Sequence, residues 1–310
     1  MRSEIVLCTR NRAVDVESLL AGLSGQSVTP ALIVVDASDD DATRRVLDAF
    51  AASGAWPAVR HRHAPPGLAR QRMAGVRALR DDTEVVHFID DDVQLAPDYF
   101  AQIERVFVEH DDVLGVGGWV INTPSRRVRF TGPMFLLDSA TRQGRVLPSG
   151  ANVLVHRPRG ILDVDWLSGC AMSYRRRVFA QLSFDERMTG YSLGEDVDFS
   201  FRVSRLGRVV VTERARLRHL CSEVGRWDHA RLARENARRR HAFVCELRGH
   251  GVNRGAFWWS LLGEILTRAV RGVLRTDGDE RAVASALLRG TADILRAGDL
   301  PANPRLHLGL

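Results

Sequence analysis

The most conspicuous absence from this 310-residue sequence is lysine. All 44 cationic residues are arginine, which we attribute to codon composition and not to a chemical requirement. Arginines exceed the 38 aspartates and glutamates, so the formal net charge is +6 and the pI is about 9.8. Such an excess favours phosphate-bearing ligands or an anionic membrane surface. No binding module with interleaved aromatic residues is present, so we expect no nucleic-acid partner.

Cysteines are few, and long apolar runs are absent. The four cysteines are scattered and form no CxxC pair, which argues against a zinc ribbon or a disulfide scaffold and is normal in a reducing compartment. No run of about 18 uncharged apolar residues occurs, so we expect no transmembrane helix. The chain begins directly with a strand-like segment and shows no apolar signal stretch. We therefore expect a cytoplasmic protein, at most peripheral on the inner face of the cell membrane.

The first 110 residues alternate apolar strands with amphipathic helices. Strands are predicted at 4–8, 31–36, 58–62 and 84–90, and helices at 14–23, 42–52, 67–80 and 97–110. This alternation predicts an α/β fold in which helices cover both faces of a mostly parallel, Rossmann-like central sheet. Ligands of such sheets lie at the carboxyl ends of the strands. Residues 9–11, Asp36 and Asp90-Asp91-Asp92 are therefore expected along one rim.

The second half of the chain is less regular. A further strand is predicted at 113–122, and residues 123–158 are interpreted as a long irregular insertion. Helices at 171–182 and 195–206 and strands at 208–212 and 215–220 are then predicted. We place the catalytic domain at residues 1–225, with halves at 1–122 and 123–225, and an arginine-rich helical extension at 226–310.

Within the extension, residues 255–275 form a strongly amphipathic helical pattern. Its apolar positions include Trp258, Leu262 and Leu266, whereas Glu264 and Arg268 fall on the opposite side. One interpretation is that the apolar side packs on the catalytic core or on a second copy of the chain, forming a homodimer. The other is a peripheral membrane contact through 255–275, with the tryptophans among the lipid headgroups.

Two acidic clusters carry the chemistry. Asp90-Asp91-Asp92 follow an apolar strand, and three adjacent carboxylates suit either a helix N-terminus or a divalent cation, Mn²⁺ or Mg²⁺. Glu195, Asp196 and Asp198 open a predicted helix, where they either cap the helix or supply a general base. Neither cluster alone decides between these alternatives.

A third segment surrounds a predicted bend at Gly169-Cys170. Glycine there would allow a substrate to approach the backbone closely. Trp166 offers a flat face for stacking on a sugar, or it is a core aromatic residue. Cys170 is interpreted as a small buried side chain and not as a nucleophile.

Taken in order, seven segments resemble inverting family 2 glycosyltransferases of the GT-A fold, over about two thirds of the chain. The segments are VLCTRNR, IVVDASDDDAT, PGLARQRMAG, FIDDDV, WLSGCAMSYRR, FDERMTGYSLGEDVDFSFRVSRLG and RLRHL. Any one of them is unremarkable, but seven in this order and spacing are specific. The resemblance implies that residues 1–122 bind a nucleotide sugar and that residues 123–225 bind the acceptor.

The resemblance also implies a role for each matching position. The expected nucleotide-sugar contacts are Thr9, Arg10, Asp36, Arg72, Asp90 and Asp91. The expected metal ligands are Asp92, Asp90 and His219, although His219 could equally be a structural histidine. The expected acceptor contacts are Trp166, Gly169 and Cys170. Asp196 matches the general base, with Glu195 beside it.

The function implied is inverting, metal-dependent transfer of a sugar to a hydroxyl acceptor, of the hexosyltransferase type, as in polysaccharide biosynthesis. The acceptor could be a saccharide, a lipid-linked glycan or a natural product. One alternative is a catalytically silent relative that binds a nucleotide or a partner. A sugar-phosphate nucleotidyltransferase is the other, but the glycine-rich basic N-terminal signature of those enzymes is replaced here by LCTRNRAVDV.

Overall fold

The computed structural model describes residues 1–124, 130–188, 192–222 and 227–298. Its strands are β1 (Ser3–Thr9), β2 (Ala31–Asp36), β3 (Val59–His63), β4 (Val85–Asp90), β5 (Val93–Leu95), β6 (Val113–Val120), β7 (Ile161–Asp163), β8 (Ala171–Arg175) and β9 (Arg208–His219). Its helices are α1 (Ala13–Leu23), α2 (Ala42–Ala52), α3 (Leu68–Arg77), α4 (Tyr99–Glu109), α5 (Thr131–Met134), α6 (Glu195–Leu206), α7 (His229–Glu246), α8 (Arg254–Leu274) and α9 (Gly278–Ala297).

The chain divides into two compact units, and the first comprises residues 1–124 and 155–224. It is built on one sheet with the strand order β3-β2-β1-β4-β8-β6-β9-β5, and β7 pairs with the outer side of β9. The first four strands in this order are parallel to one another. Every residue of β2 is buried, as expected for a strand covered on both faces. The α/β prediction for this part of the chain is confirmed.

The other half of the sheet is mixed, because β8 inserts antiparallel between β4 and β6. The helix predicted at 171–182 is wrong: Ala171–Arg175 is strand β8, and only the 3₁₀ turn Arg176–Ala180 follows it. Its alanine, methionine and arginine suit a helix, but strand pairing on both sides overrides that local preference. The two strands predicted between residues 208 and 220 are one strand, β9, whose pairing with β6 shifts register between Gly118 and Trp119.

The second unit contains the described residues 130–154 and 227–298. Residues 130–154 have one helical turn, α5, and are otherwise irregular, as expected for the insertion. Helices α7, α8 and α9 pack against one another, which confirms a helical C-terminal region. The predicted domain boundary at 225/226 lies outside the described residues. No described helix combines the length and hydropathy that crossing a bilayer requires.

Candidate active site

The carboxyl ends of β1, β2 and β4 form one rim of the sheet. Thr9 is paired in register with Asp36, and Cys8 with Asp90, so the ends of these three strands lie side by side. Asp36 is buried; it accepts a hydrogen bond from the Ser38 amide at 2.8 Å. The predicted rim is therefore present, because polar residues end three neighbouring strands at the same edge of the sheet.

The three adjacent aspartates form a turn and do not cap a helix. Asp90 is the last residue of β4, and β5 begins at Val93. The next helix, α4, begins only at Tyr99. The helix-cap interpretation of these acids is therefore wrong for this turn. Three carboxylates held this close need another source of positive charge.

Part of that charge comes from Arg12, which the sequence interpretation did not single out. Its Nη1 donates to Asp91 Oδ1 at 2.9 Å and lies 3.9 Å from Asp92 Oδ2. Thr9 donates its hydroxyl to the other oxygen of Asp91 at 2.7 Å. Burial raises the pKa of Asp91, and these two hydrogen bonds oppose the rise. Both oxygens of Asp91 thus have protein partners, which suits a positioning role.

Asp90, Asp92 and His219 each offer a ligand atom, and these atoms lie within 4.8 Å of one another. His219 reaches this place because it pairs with Val93 where β9 meets β5. Its Nε2 lies 3.2 Å from Asp92 Oδ1, and the Ser222 amide donates to Asp92 Oδ2 at 2.9 Å. Burial acts to raise the pKa of Asp92, but these two groups outweigh it and lower the pKa.

This donor set fits a divalent cation. Two carboxylates and one imidazole are ligands that Mn²⁺ accepts readily, and three protein ligands would leave coordination positions for phosphate oxygens and water. Burial raises the pKa of Asp90 to about 6, with Arg72 opposing and the neighbouring aspartates adding to the rise. A carboxylate that is costly to ionise alone gains most from a cation beside it.

The second acidic cluster opens α6. Gly194 precedes it with φ at 81°, a left-handed conformation that glycine adopts without strain. Asp196 Oδ2 accepts a hydrogen bond of 2.8 Å from the amide of Gly169. A Cβ on Gly169 would lie 3.2 Å from that same oxygen, so Asp196 approaches this glycine closely. The substrate approach predicted at Gly169 stays a prediction. The bend before β8 therefore holds the candidate base.

Arg72 joins the two acidic clusters. Its guanidinium is almost fully buried, and Nη1 is hydrogen-bonded to Glu195. Its Nη2 donates to the Gly169 carbonyl at 2.8 Å and lies 3.4 Å from Asp90 Oδ1. Burial raises the pKa of Glu195, although the Arg72 charge opposes the rise. One side chain thus contacts Asp90 of the candidate cation site, the bend, and the residue preceding the candidate base.

The remaining predicted residues differ in accessibility. The Arg10 side chain is half exposed and lies 3.5 Å from Asp39. Trp166 and Cys170 are both buried, at 6% and 3% exposure, so burial favours the core interpretation of Trp166. The Cys170 carbonyl accepts a hydrogen bond from the Asp90 amide at 3.0 Å. Residue 170 therefore meets the acidic turn through its backbone.

Three further residues at the rim were missed by the sequence interpretation. Arg12 and Ser222 contact the acidic turn, as described above. His61 Nε2 lies 3.3 Å from Oδ2 of Asp36, one of the expected nucleotide-sugar contacts. Arg12 lies inside a segment that carries the family resemblance, so its charge could have signalled it. Ser222 and His61 act across long sequence separations and left no local signal.

Comparisons with known proteins identify the family and the fold of this chain. The model of the family described as Glycosyl transferase family 2 matches residues 4–181. A search of curated proteins finds no match. Among solved structures, the chain resembles a mannosyltransferase from Pyrobaculum calidifontis in complex with GDP-Man and Mn²⁺. The identity is 16% and the TM-score 0.55, over 97% of this chain and 76% of that one.

Two further structures have the same fold. The S. aureus TarS fragment 1–349 in complex with UDP-GlcNAc is 16% identical, with a TM-score of 0.57 over 96% of this chain and 81% of that one. GalNAc-T7 with UDP, GalNAc and Mn²⁺ is 13% identical, with a TM-score of 0.59 over 84% of this chain and 55% of that one. At these identities the likeness shows the fold, which is GT-A followed by a helical region. The match of the family model over more than half of the chain shows that this protein belongs to family 2 of the glycosyltransferases.

Proposed function

We propose that this chain transfers a hexosyl group from a nucleotide-diphosphate sugar to a hydroxyl acceptor, with inversion at the anomeric carbon and with a divalent cation. The observation that carries the proposal is the pair of acidic clusters bridged by Arg72. Asp90 belongs to a cluster that suits a cation, and Asp196 is held separately by the Gly169 amide. This reaction needs one acidic group that stays ionised beside a cation and a second that accepts a proton from the acceptor.

In this mechanism Asp196 acts as the general base. It removes the proton of the acceptor hydroxyl as that oxygen attacks the anomeric carbon. The bond from the anomeric carbon to the diphosphate oxygen breaks, and its electron pair leaves with the diphosphate. Attack opposite the leaving group inverts the anomeric configuration. When bound at Asp90, Asp92 and His219, a cation would neutralise charge on the diphosphate.

Donor recognition falls to the rim. Asp36, with His61 beside it, is proposed to face the nucleobase, and Thr9 and Arg10 to contact the nucleoside. Arg72 is proposed to act on the diphosphate side through Asp90, which it contacts. Because two of the similar structures hold GDP-Man and UDP-GlcNAc, hexose nucleotides are the first donors to test. The proposed acceptor is a saccharide, a lipid-linked glycan or a natural product. A saccharide acceptor would place the reaction in polysaccharide biosynthesis.

The test begins with a screen of nucleotide sugars for thermal stabilisation in Mn²⁺, since a ligand that binds the native state raises the melting temperature. With the donor identified, Asp196→Asn should abolish transfer and keep the stabilisation by donor. Asp92→Ala should lose the Mn²⁺-dependent part of that stabilisation. Near-normal turnover of Asp196→Asn would remove Asp196 as the base.

Two measurements separate the remaining alternatives. Slow release of nucleoside diphosphate from the donor in Mn²⁺ would distinguish an enzyme from a catalytically silent relative. NMR of the product reports its anomeric configuration, and retention of the donor configuration would refute inversion. The same proposal includes a peripheral membrane location for the chain, because the exposed surface of α8 is apolar, as described next.

A further inference from the structure

The exposed side of helix α8 is apolar. Trp259, Leu262, Leu266, Val270 and Val273 are spaced three or four residues apart and therefore form one stripe along the helix. Their exposures range from 46% at Trp259 to 71% at Val273. The prediction that 255–275 is an amphipathic helix is confirmed. Phe257 and Leu261 of the predicted apolar side are buried, whereas the stripe stays exposed within the described part of the chain. Packing of the stripe on a second copy stays a prediction.

Buried polar contacts hold the helix in this orientation. Arg240 of α7 is 8% exposed; it donates to the buried Ser260 hydroxyl at 2.8 Å and lies 3.7 Å from Glu264. On the α9 side, Arg268 lies 2.9 Å from a carboxylate oxygen of Glu280. Rotating α8 to bury its apolar stripe would strip the buried Arg240 of these partners, which is strongly unfavourable. The exposed stripe is therefore specified by the fold.

The insertion extends the apolar surface. The Phe135 ring packs on Trp259 with centroids 5.2 Å apart, and the Trp259 indole donates to the Met134 carbonyl at 2.8 Å. Beside this contact Phe130 is 82% exposed and Met134 is 41% exposed. An open groove of about 480 Å³ lies between the insertion and α8. Phe130 and Phe135 line it on the side of the insertion, and Leu266 and Val270 line it on the side of α8. We name Phe130, Met134 and the stripe of α8 the apolar face.

The charge of the second unit indicates what covers this face. Residues 125–154 and 225–310 contain 20 arginines against 10 aspartates and glutamates, a formal charge of +10. Residues 1–124 and 155–224 contain 24 against 28, a formal charge of −4. The whole positive excess of the protein therefore belongs to the unit with the apolar face. Glu264 is the acidic residue of α8, and it lies against Arg240 and outside the stripe.

We propose that the apolar face docks on an anionic lipid bilayer, with α8 lying in the plane of the interface. An apolar stripe on a unit of strongly positive formal charge is typical of interfacial helices that bind anionic lipid. A second copy of the chain is the less favourable occupant, because a symmetric dimer would bring two units of +10 together. This proposal deepens the membrane location given under the proposed function. The face contains none of the candidate active-site residues, so lipid binding and glycosyl transfer can fail separately.

The experiment is co-sedimentation of the full chain with vesicles of phosphatidylcholine alone or mixed with phosphatidylglycerol. We expect binding to the mixed vesicles, at least about tenfold weaker binding to neutral ones, and weakening with salt, because charge and apolar area both contribute. The double variant Leu266→Glu/Val270→Glu should bind mixed vesicles at least about tenfold more weakly. The matched control is Val14→Glu, a change at an exposed valine on α1 of the first unit, which should bind like the unmodified chain.

Three outcomes would overturn the proposal. The first is that the unmodified chain does not bind the mixed vesicles. The second is that the double variant binds them as strongly as the unmodified chain. The third is that Val14→Glu loses as much binding as the double variant. Light scattering without lipid tests the other occupant. A dimer that the double variant converts to a monomer, together with no vesicle binding, would assign the face to a second copy. Far-UV circular dichroism and thermal unfolding of each variant verify that the helices remain folded.

Discussion

The sharpest test of the candidate site is the addition of one methyl group at Gly169. In Gly169→Ala the new Cβ would lie 3.2 Å from both Cβ and Oδ2 of Asp196 and 3.3 Å from Nη2 of Arg72. Carbon atoms ordinarily pack at about 3.5–4.0 Å, so both neighbours must shift by a few tenths of an ångström. The backbone of Gly169 is not in the left-handed region, so alanine adds volume without conformational strain.

The magnitude follows from the contact that is stretched. The 2.8 Å hydrogen bond from the Gly169 amide to Asp196 holds the candidate base. Hydrogen bonds to charged groups contribute about 1.5–3 kcal/mol, and overpacking costs about 1–3 kcal/mol, so we expect the free energy of unfolding to fall by about 1–3 kcal/mol. A misplacement of about 1 Å can cost a factor of about 100 in rate, so kcat should fall about 10- to 100-fold.

The assay is release of nucleoside diphosphate in Mn²⁺ with saturating donor and acceptor, alongside unfolding in urea. The matched control is Gly22→Ala on α1, where a Cβ would meet nothing within 4 Å. That change should leave kcat unaltered and add about 0.5–1 kcal/mol of stability. A Gly169→Ala variant that keeps its kcat would refute the reasoning, because Asp196 would then tolerate displacement. A loss confined to donor affinity would also contradict the role of Asp196.

Three further predictions concern stability. Burial raises the pKa of Glu195 above its ordinary 4.5. Above pH 4.5 the native state therefore retains a proton that the unfolded chain releases. The free energy of unfolding should fall as pH rises above 4.5. Urea unfolding at several pH values measures how the free energy of unfolding changes with pH. Glu195→Gln should reduce this dependence, and the surface change Glu186→Gln should leave it unaltered. An equal pH dependence in the unmodified chain and both variants would contradict the raised pKa of Glu195. Asp198→Asn removes the carboxylate that accepts three hydrogen bonds from buried Arg202 and should cost about 3–5 kcal/mol in the same assay. A loss below about 1 kcal/mol would contradict the importance of this buried ion pair. In thermal unfolding Gly263→Ala should cost about 1–3 kcal/mol, because its Cβ would overlap a packed phenylalanine ring, and unchanged stability would contradict that packing.

The periodic parts of the fold were predictable from the sequence. Helices at Ala42–Ala52 and Glu195–Leu206 and the strand Ala31–Asp36 have the predicted bounds, because their apolar spacing is strong and each is bounded by polar residues or glycine. Strand β8 was predicted as a helix, because its local composition suits one. Its pairing with β4 and β6 depends on residues about 85 and 60 positions earlier in the chain. No local pattern reports such pairing.

The candidate site divides in the same way. Its acidic residues were predictable, because adjacent carboxylates after an apolar strand and at the start of a helix are visible in a single sequence. Which acid contacts which partner was not predictable. The ion pair of Arg12 with Asp91 and the hydrogen bond from Ser222 to Asp92 join residues 79 and 130 positions apart. The central place of Arg72 between the clusters likewise arises from packing across the sheet.

By itself, the sequence determined the α/β class, the rim along which Thr9, Asp36 and Asp90 lie, and the family of the chain. These properties follow from local periodicity, from the rule that ligands lie at the carboxyl ends of parallel strands, and from ordered motifs. Only the tertiary structure decided that the acidic turn caps no helix and that an apolar stripe of α8 stays exposed. The acidic turn depends on Arg12 and Ser222, which contact its carboxylates from distant parts of the sequence. The orientation of α8 depends on the contacts of buried Arg240 with Ser260 and Glu264. Such contacts between distant residues form only when the chain has packed.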